Sequence, residues 1–329
     1  MKRALSGITP SSANGLHLGN YLGMVKPAVE FQNEAECFYF IANIHSLNTV
    51  FEPKQVEQNT MNIFIEFLAL GINNEKTTFY IESDIPSITY LQSILNNAVT
   101  ISELKRMHAY KDKLQGDISP DQIGLGLFSY PVLMAADILL FDIDIVPVGE
   151  DQAQHVEICR EIGKTFNNRY GNILKVPEQY FRPGSAKVPG IYGDRKMSKS
   201  LGNDLPIFAP ETEIKKRVTL IKTDPARIHA TDPGDPSKNV IFTYFELMEF
   251  NQEKIVDMKE RYKKGSIPDR EIKEIFYDFF MEYFSDFRSK KEKLLQDKTH
   301  LHDLRVEGAK RANPIADKTI ERVRKAVGI

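Results

Sequence analysis

The sequence predicts an α/β protein: a doubly wound parallel sheet followed by an all-helical C-terminal region. Three observations predict it. Short β-rich runs alternate with helical patterns through the first half of the chain, as in a parallel sheet covered on both faces. The alternation stops at about residue 203, and long amphipathic helical patterns dominate beyond it. An irregular stretch rich in Gly and Pro, from Phe181 to Pro206, separates the two, which places a boundary between residues 1–203 and 204–329.

Taken in order, Ala4 to Ile8 reads as the first strand and Leu16 to Phe31 as the helix after it. Cys37 to Ile44, aromatic and β-branched, is the second strand. Lys54 to Leu70 carries Val56, Ile63, Phe64, Phe67 and Leu68 on one helical face. Thr77 to Ile81 is a third strand. Ile85-Pro86-Ser87 then opens a helix with Leu91, Ile94 and Leu95, the start of a helical insertion over about 86–130. Phe128 to Phe141 is an apolar helix, and Asp144 to Val148 a strand ending at Gly149. From Asp151 to Phe166, Val156, Ile158, Cys159, Ile162 and Phe166 recur with a period near 3.6. Glu211 to Ile221, and most of the chain from Val240 onward, read as helices.

Composition removes several classes. The 329 residues carry 43 basic and 45 acidic side chains, a net charge of −2, so no global electrostatic attraction to nucleic acid or to a membrane is expected. Residues 1–210 hold 18 basic and 23 acidic groups, and residues 211–329 hold 25 and 22, a mild basic excess in the helical part. No apolar run reaches the roughly 18–20 residues of a membrane span, and the N-terminus lacks the apolar stretch of a signal peptide. Cys37 and Cys159 stand alone in apolar surroundings, which suits buried thiols in a cytoplasmic protein and excludes a disulfide scaffold. His17 and His155 have no zinc-cage spacing, so no metal site built by the protein is expected.

Two segments carry chemistry. Ser6-Gly7-Ile8-Thr9-Pro10-Ser11, then Gly15-Leu16-His17-Leu18-Gly19-Asn20, sits where the first strand turns into the first helix. Unpaired backbone N–H groups and the positive end of a helix dipole suit a phosphate there. Gly7 permits close backbone approach, Gly19 leaves room for a base or ribose, and His17 can donate to phosphate oxygens. The second segment is Lys196-Met197-Ser198-Lys199-Ser200. Its two lysines, three apart, can embrace a leaving pyrophosphate, and the hydroxyls of Ser198 and Ser200 add donors. A specified pentapeptide arises by chance in roughly one such chain in ten thousand. A third signal is Asp137, an acid inside the apolar run Met134 to Leu140, where burial is costly unless a donor meets it.

Together the two segments resemble the paired signatures of the class I aminoacyl-tRNA synthetases, His-Ile-Gly-His and Lys-Met-Ser-Lys-Ser. Here the first reads His17-Leu18-Gly19-Asn20, with Asn20 for the second histidine, and the second matches in full. The stretches Tyr130 to Leu140 and Val146 to His155 resemble the tryptophanyl-tRNA synthetases in particular. That resemblance implies a Rossmann-like catalytic part, ATP as substrate with Mg²⁺ on its phosphates, and L-tryptophan and tRNA(Trp) as partners. It also implies a homodimer and an anticodon-reading helical part. Asp137 falls at the carboxylate that accepts the indole N–H, with Met134, Ile138, Val146 and Val148 as walls of the indole slot. Gly7, His45 and Gln152 fall beside the polar end of the amino acid or the adenylate. Gly149, Glu150, Asp151 and Val188 fall on the ATP ribose and base, joined by Thr9, Pro10, Ser11, Gly19, Asn20 and the Lys196–Ser200 loop. Lys113 falls on a lysine that reaches the phosphates, and with Lys196, Lys199, His17 and Asn20 completes the expected catalytic set. Thr9 replaces a glutamine common in the family, and Ser12-Ala13-Asn14 is a small insertion. A tyrosyl-tRNA synthetase, or a non-catalytic paralogue that binds tRNA or tryptophan, stands as the alternative.

Overall fold

The computed structural model describes residues 1–11, 15–107, 110–111, 123–148, 153–181 and 187–329. Its centre is a five-stranded sheet of β1 (Arg3–Ile8), β2 (Glu36–Ile41), β3 (Thr78–Ile81), β4 (Ile145–Val148) and β5 (Glu178–Phe181). The strands lie in the order β3-β2-β1-β4-β5, and every pair is parallel. Chain order runs outward from β1 in one direction through β2 and β3, and resumes on its other side at β4. The crevice between the carboxyl ends of β1 and β4 is therefore the switch point at which open α/β sheets bind ligands.

Alternation along the strands decides what each face buries. In β2, Cys37, Tyr39 and Ile41 enter one buried cluster, and Phe38 and Phe40 enter the other. The first cluster packs the helical run after β1, α1 (Leu18–Asn20, a π-type turn Tyr21–Val25, and Lys26–Phe31), and α2 (Pro53–Ala69). It continues without a break into α3 (Glu211–Thr219), α4 (Val240–Leu247), α5 (Gln252–Lys263) and α6 (Asp269–Tyr283). The opposite cluster packs α7 (Ser87–Leu95), α8 (Leu125–Leu139) and α9 (Ala153–Tyr170). The last two helices are α10 (Ser285–Gln296) and α11 (Lys298–Val327). The long α11 returns to the edge strand β3, and Ala312, Ala316 and Val323 join the second cluster. No described helix is long and apolar enough to cross a membrane.

Two features depart from the sequence expectation. The second strand stops at Ile41 rather than Ile44, and Asn43–Ser46 forms a short helix. The reason is tertiary: the buried carboxylate of Glu82, just after β3, accepts from Ile44 N at 2.8 Å and from His45 N at 3.4 Å, which turns the chain inward. The second departure is β5, four residues of mixed polarity at the sheet edge, too short and too polar for period alone to reveal.

Candidate active site

A cleft of about 1220 Å³ opens at the switch point. Its described wall brings together Gly7, Thr9, Ser11, His17, Gly19, Asn20, His45, Met134, Asp137, Ile138, Val146, Val188 and the whole Lys196–Ser200 loop, all singled out from sequence. Pro10 is buried off this wall, its carbonyl accepting from Asn59 Nδ2 at 3.4 Å. Val148 ends β4. Lys113, Gly149, Glu150, Asp151, Gln152 and the Ser12–Asn14 insertion lie outside the described residues.

One end of the cleft is built for anions. His17 caps α1: its Nδ1 accepts from Asn20 N at 3.1 Å, while its own N–H donates to Asn20 Oδ1 at 3.2 Å. With Nδ1 occupied as an acceptor, the ring proton of the neutral imidazole sits on Nε2. Burial and the neighbouring Lys199 and Lys196 push its pKa down to about 3, so it stays a neutral donor at physiological pH. Gly19 is pressed between the two motifs: a methyl group on its Cα would lie 3.0 Å from both His17 Nδ1 and Met197 Cβ. Gly19 N–H also donates to Met197 Sδ at 3.2 Å, so the buried methionine of the second motif rests on the first.

The lysine loop is held at both ends. Met197 N donates to Val188 O at 2.9 Å, and Gly190 N donates to Arg195 O at 2.7 Å, closing a hairpin. Asn203, almost fully buried, accepts from Ser198 N at 2.7 Å and donates to Lys196 O at 3.3 Å. The chain beyond it pairs with the entry to α1: Leu18 N donates to Leu205 O at 2.8 Å, and Ile207 N to Leu16 O at 3.1 Å. Burial lowers the pKa of Lys199, opposed by Glu66 and Asp204. Across the described wall, Lys187, Arg195, Lys196 and Lys199 face a single carboxylate, Asp137. That balance suits a polyphosphate.

The other end is an apolar slot with an acid at its base. Asp137, on α8, is fully buried beside Met134 and Ile138, and Val146 of β4 lines the same cleft. Its Oδ2 meets His45 Nε2 at 3.0 Å, while Oδ1 has no hydrogen-bond partner among the described residues. A buried acceptor without a donor costs free energy until a ligand supplies one. Glu82 stands behind His45, its Oε1 3.6 Å from Nε2 and without a hydrogen-bond partner among the described residues. Burial, and then the nearby Asp137 charge, push the Glu82 pKa up to about 8. His45, Glu82 and Asp137 place one potential ligand atom each within 4.8 Å, the arrangement among the described residues that could hold a metal ion. Sequence reading expected no such group. It also missed Tyr130, whose hydroxyl meets His155 Nε2 at 2.7 Å on the cleft wall, and Arg195 and Lys187. Glu82 had a signal, an acid directly after the apolar strand Thr-Phe-Tyr-Ile. Gly7 is required for a second reason: a methyl group there would lie 2.4 Å from the Phe40 ring.

Known proteins resemble this chain in sequence and in fold. A family model described as tRNA synthetases class I (W and Y) matches residues 1–285. The tryptophan–tRNA ligase of Rhodopirellula baltica is 39% identical over 327 residues, covering 99% of each chain. That of Fusobacterium nucleatum is 38% identical over all of this chain and 98% of its own. The crystal structure of the Campylobacter jejuni tryptophanyl-tRNA synthetase, complexed with ADP and tryptophan, superposes with a TM-score of 0.91 at 37% identity, covering 99% of this chain and all of that one. The chain therefore belongs to the class I tRNA synthetases for tryptophan and tyrosine, on the tryptophanyl-tRNA synthetase side of that family.

Proposed function

We propose that the chain is a tryptophan–tRNA ligase, which activates L-tryptophan with ATP and transfers it to the 3′ end of tRNA(Trp). One observation carries the choice of amino acid: a buried carboxylate oxygen on Asp137 with no hydrogen-bond partner among the described residues, at the base of an apolar slot in the cleft that also presents His17 and the lysine loop. The indole N–H is the donor that such an oxygen lacks. Phenylalanine would leave it unpaired, and a site built to hydrogen-bond its ligand rejects analogues without the group by roughly 10⁴-fold.

In the first step the tryptophan carboxylate attacks the α-phosphorus of ATP in line, the bond to the bridging oxygen breaks, and pyrophosphate leaves. No protein nucleophile is needed: positioning and preorganised donors supply the rate. His17 Nε2–H, Asn20, Lys196, Lys199 and, in this reading, Lys113 meet the charge that gathers on the phosphates. Thr9, Ser11, Val188 and the segment Gly149–Gln152 would hold nucleotide and adenylate. Mg²⁺ enters on the ATP phosphates. There it would offset charge on the phosphates alongside the lysines. In the second step the terminal ribose hydroxyl of tRNA attacks the adenylate carbonyl and AMP leaves. Residues 204–329 would meet the anticodon by shape, phosphate contacts and splayed bases. The active unit in this reading is a cytoplasmic homodimer.

Amino-acid-dependent ATP–pyrophosphate exchange with tryptophan, tyrosine and phenylalanine tests it. Exchange with tryptophan alone is expected. Asp137→Ala should lower kcat/KM for tryptophan by about 5- to 100-fold, from a lost buried hydrogen bond that leaves the indole N–H unsatisfied at a cost of roughly 1–3 kcal/mol, and leave KM for ATP unchanged. Exchange with tyrosine, or none from folded protein, would reject the assignment.

A further inference from the structure

Glu66 is a buried acid that the reaction above does not use. It lies on α2, 1% exposed, and its carboxylate points at the chain just before His17. Oε2 accepts from Leu16 N at 2.5 Å. Gly15, with φ of +64°, leaves room for it: a methyl group on Gly15 would lie 2.2 Å from Oε1. The other oxygen accepts from Lys291 Nζ at 2.6 Å, and that ammonium also donates to Asn62 Oδ1 at 2.9 Å. Lys291 belongs to α10, more than 200 residues along the chain.

One turn earlier on the same helix, Arg288 donates to Ile207 O at 2.7 Å and to Ala209 O at 2.9 Å. Lys291 also lies over the Phe208 ring, 4.8 Å from its centroid. The segment gripped in this way is the one that pairs with Leu16–Leu18 after leaving the lysine loop. Two cations on α10 thus hold both sides of the junction between the motifs, Lys291 through Glu66 and Arg288 directly.

We propose that Glu66 is a positioning residue for the ATP-binding turn, and that Lys291 and Arg288 make α10 the clamp that keeps the His17 turn and the exit of the lysine loop in register. The inference rests on the tryptophan–tRNA ligase reading. Glu66 orients the backbone one residue before His17, and among the described residues it hydrogen-bonds Leu16 and Lys291 and not the slot around Asp137. Its loss therefore falls on ATP and not on the amino acid.

Pyrophosphate exchange by Lys291→Met, which keeps most of the apolar stem, tests the clamp. KM for ATP should rise at least fivefold, with KM for tryptophan within twofold of the parent, and Lys291→Arg should restore most of the loss. If Lys291→Met does not fold, Glu66→Gln, which keeps an acceptor for Leu16 N, is measured instead and should show the same split. An unchanged KM for ATP, or equal rises for both substrates, would overturn the clamp. A parent protein without tryptophan-dependent exchange would instead overturn the ligase reading, which keeps the two failures distinct.

Discussion

His17 combines three constraints in one imidazole. Its Nδ1 caps α1, its backbone N–H closes the reciprocal bond to Asn20, and its remaining nitrogen is left as a donor on the cleft wall. The cap decides the tautomer, and burial beside Lys196 and Lys199 decides the charge. Proton linkage follows from a pKa of about 3 in the fold against 6.5 for an unperturbed imidazole. The unfolded chain takes up this proton first as pH falls. The stability that His17 contributes is therefore full above pH 6.5 and is lost as pH falls through about 3. Between pH 5 and 8 the folded side chain should not titrate at all. In a ¹³C-histidine NMR titration one imidazole resonance should stay fixed over that range, and it should be missing from His17→Asn. Movement of that resonance with a midpoint near 6.5 would mean that the ring is solvated and the cap is not formed.

At the scale of elements, the two signature motifs form one unit. Met197 lies against Gly19, the hairpin Val188–Met197 supports the lysines from one side, and Asn203 supports them from the other. Asn203 is also why position 190 is glycine: any side chain there would lie 2.1 Å from its amide. Asn203→Ala removes a buried acceptor from Ser198 N–H and a donor from Lys196 O, a loss of about 1–3 kcal/mol. Part of that should surface as misplaced lysines. The exchange rate at saturating tryptophan and ATP is expected to fall about tenfold, which is roughly 1.4 kcal/mol, with KM for tryptophan unchanged. Equal activity in parent and variant would show that the loop reaches its working position without this staple.

At the scale of the molecule, local pattern made four of the five strands and most helices legible, because their apolar residues repeat with the period of the element. The His17 turn and the Lys196–Ser200 loop were legible as motifs, and Asp137 as an acid out of place in an apolar helix. Period could not reveal what depends on distant partners: the turn at Asn43–Ser46 set by Glu82, the Tyr130–His155 contact, or Glu66 meeting Lys291. The return of α11 to the sheet belongs with these. Gly308 lets the helix touch the edge strand, since a methyl group there would lie 1.8 Å from Phe79 O. Arg311 donates to Thr77 O at 3.1 Å, and Arg305 makes a two-pronged contact with Asp84 at 2.6 Å on each oxygen. Without α11 the β3 edge would be open to pairing with another chain, and the buried faces of Ala312, Ala316 and Val323 would be lost to the second cluster. A chain ending at Gln296 is thus expected to aggregate or to lose cooperative unfolding, although it keeps every signature residue. Size-exclusion chromatography with thermal melts followed by circular dichroism decides the point. A monodisperse truncated protein melting within a few degrees of the parent would mean that the sheet is complete without its last helix.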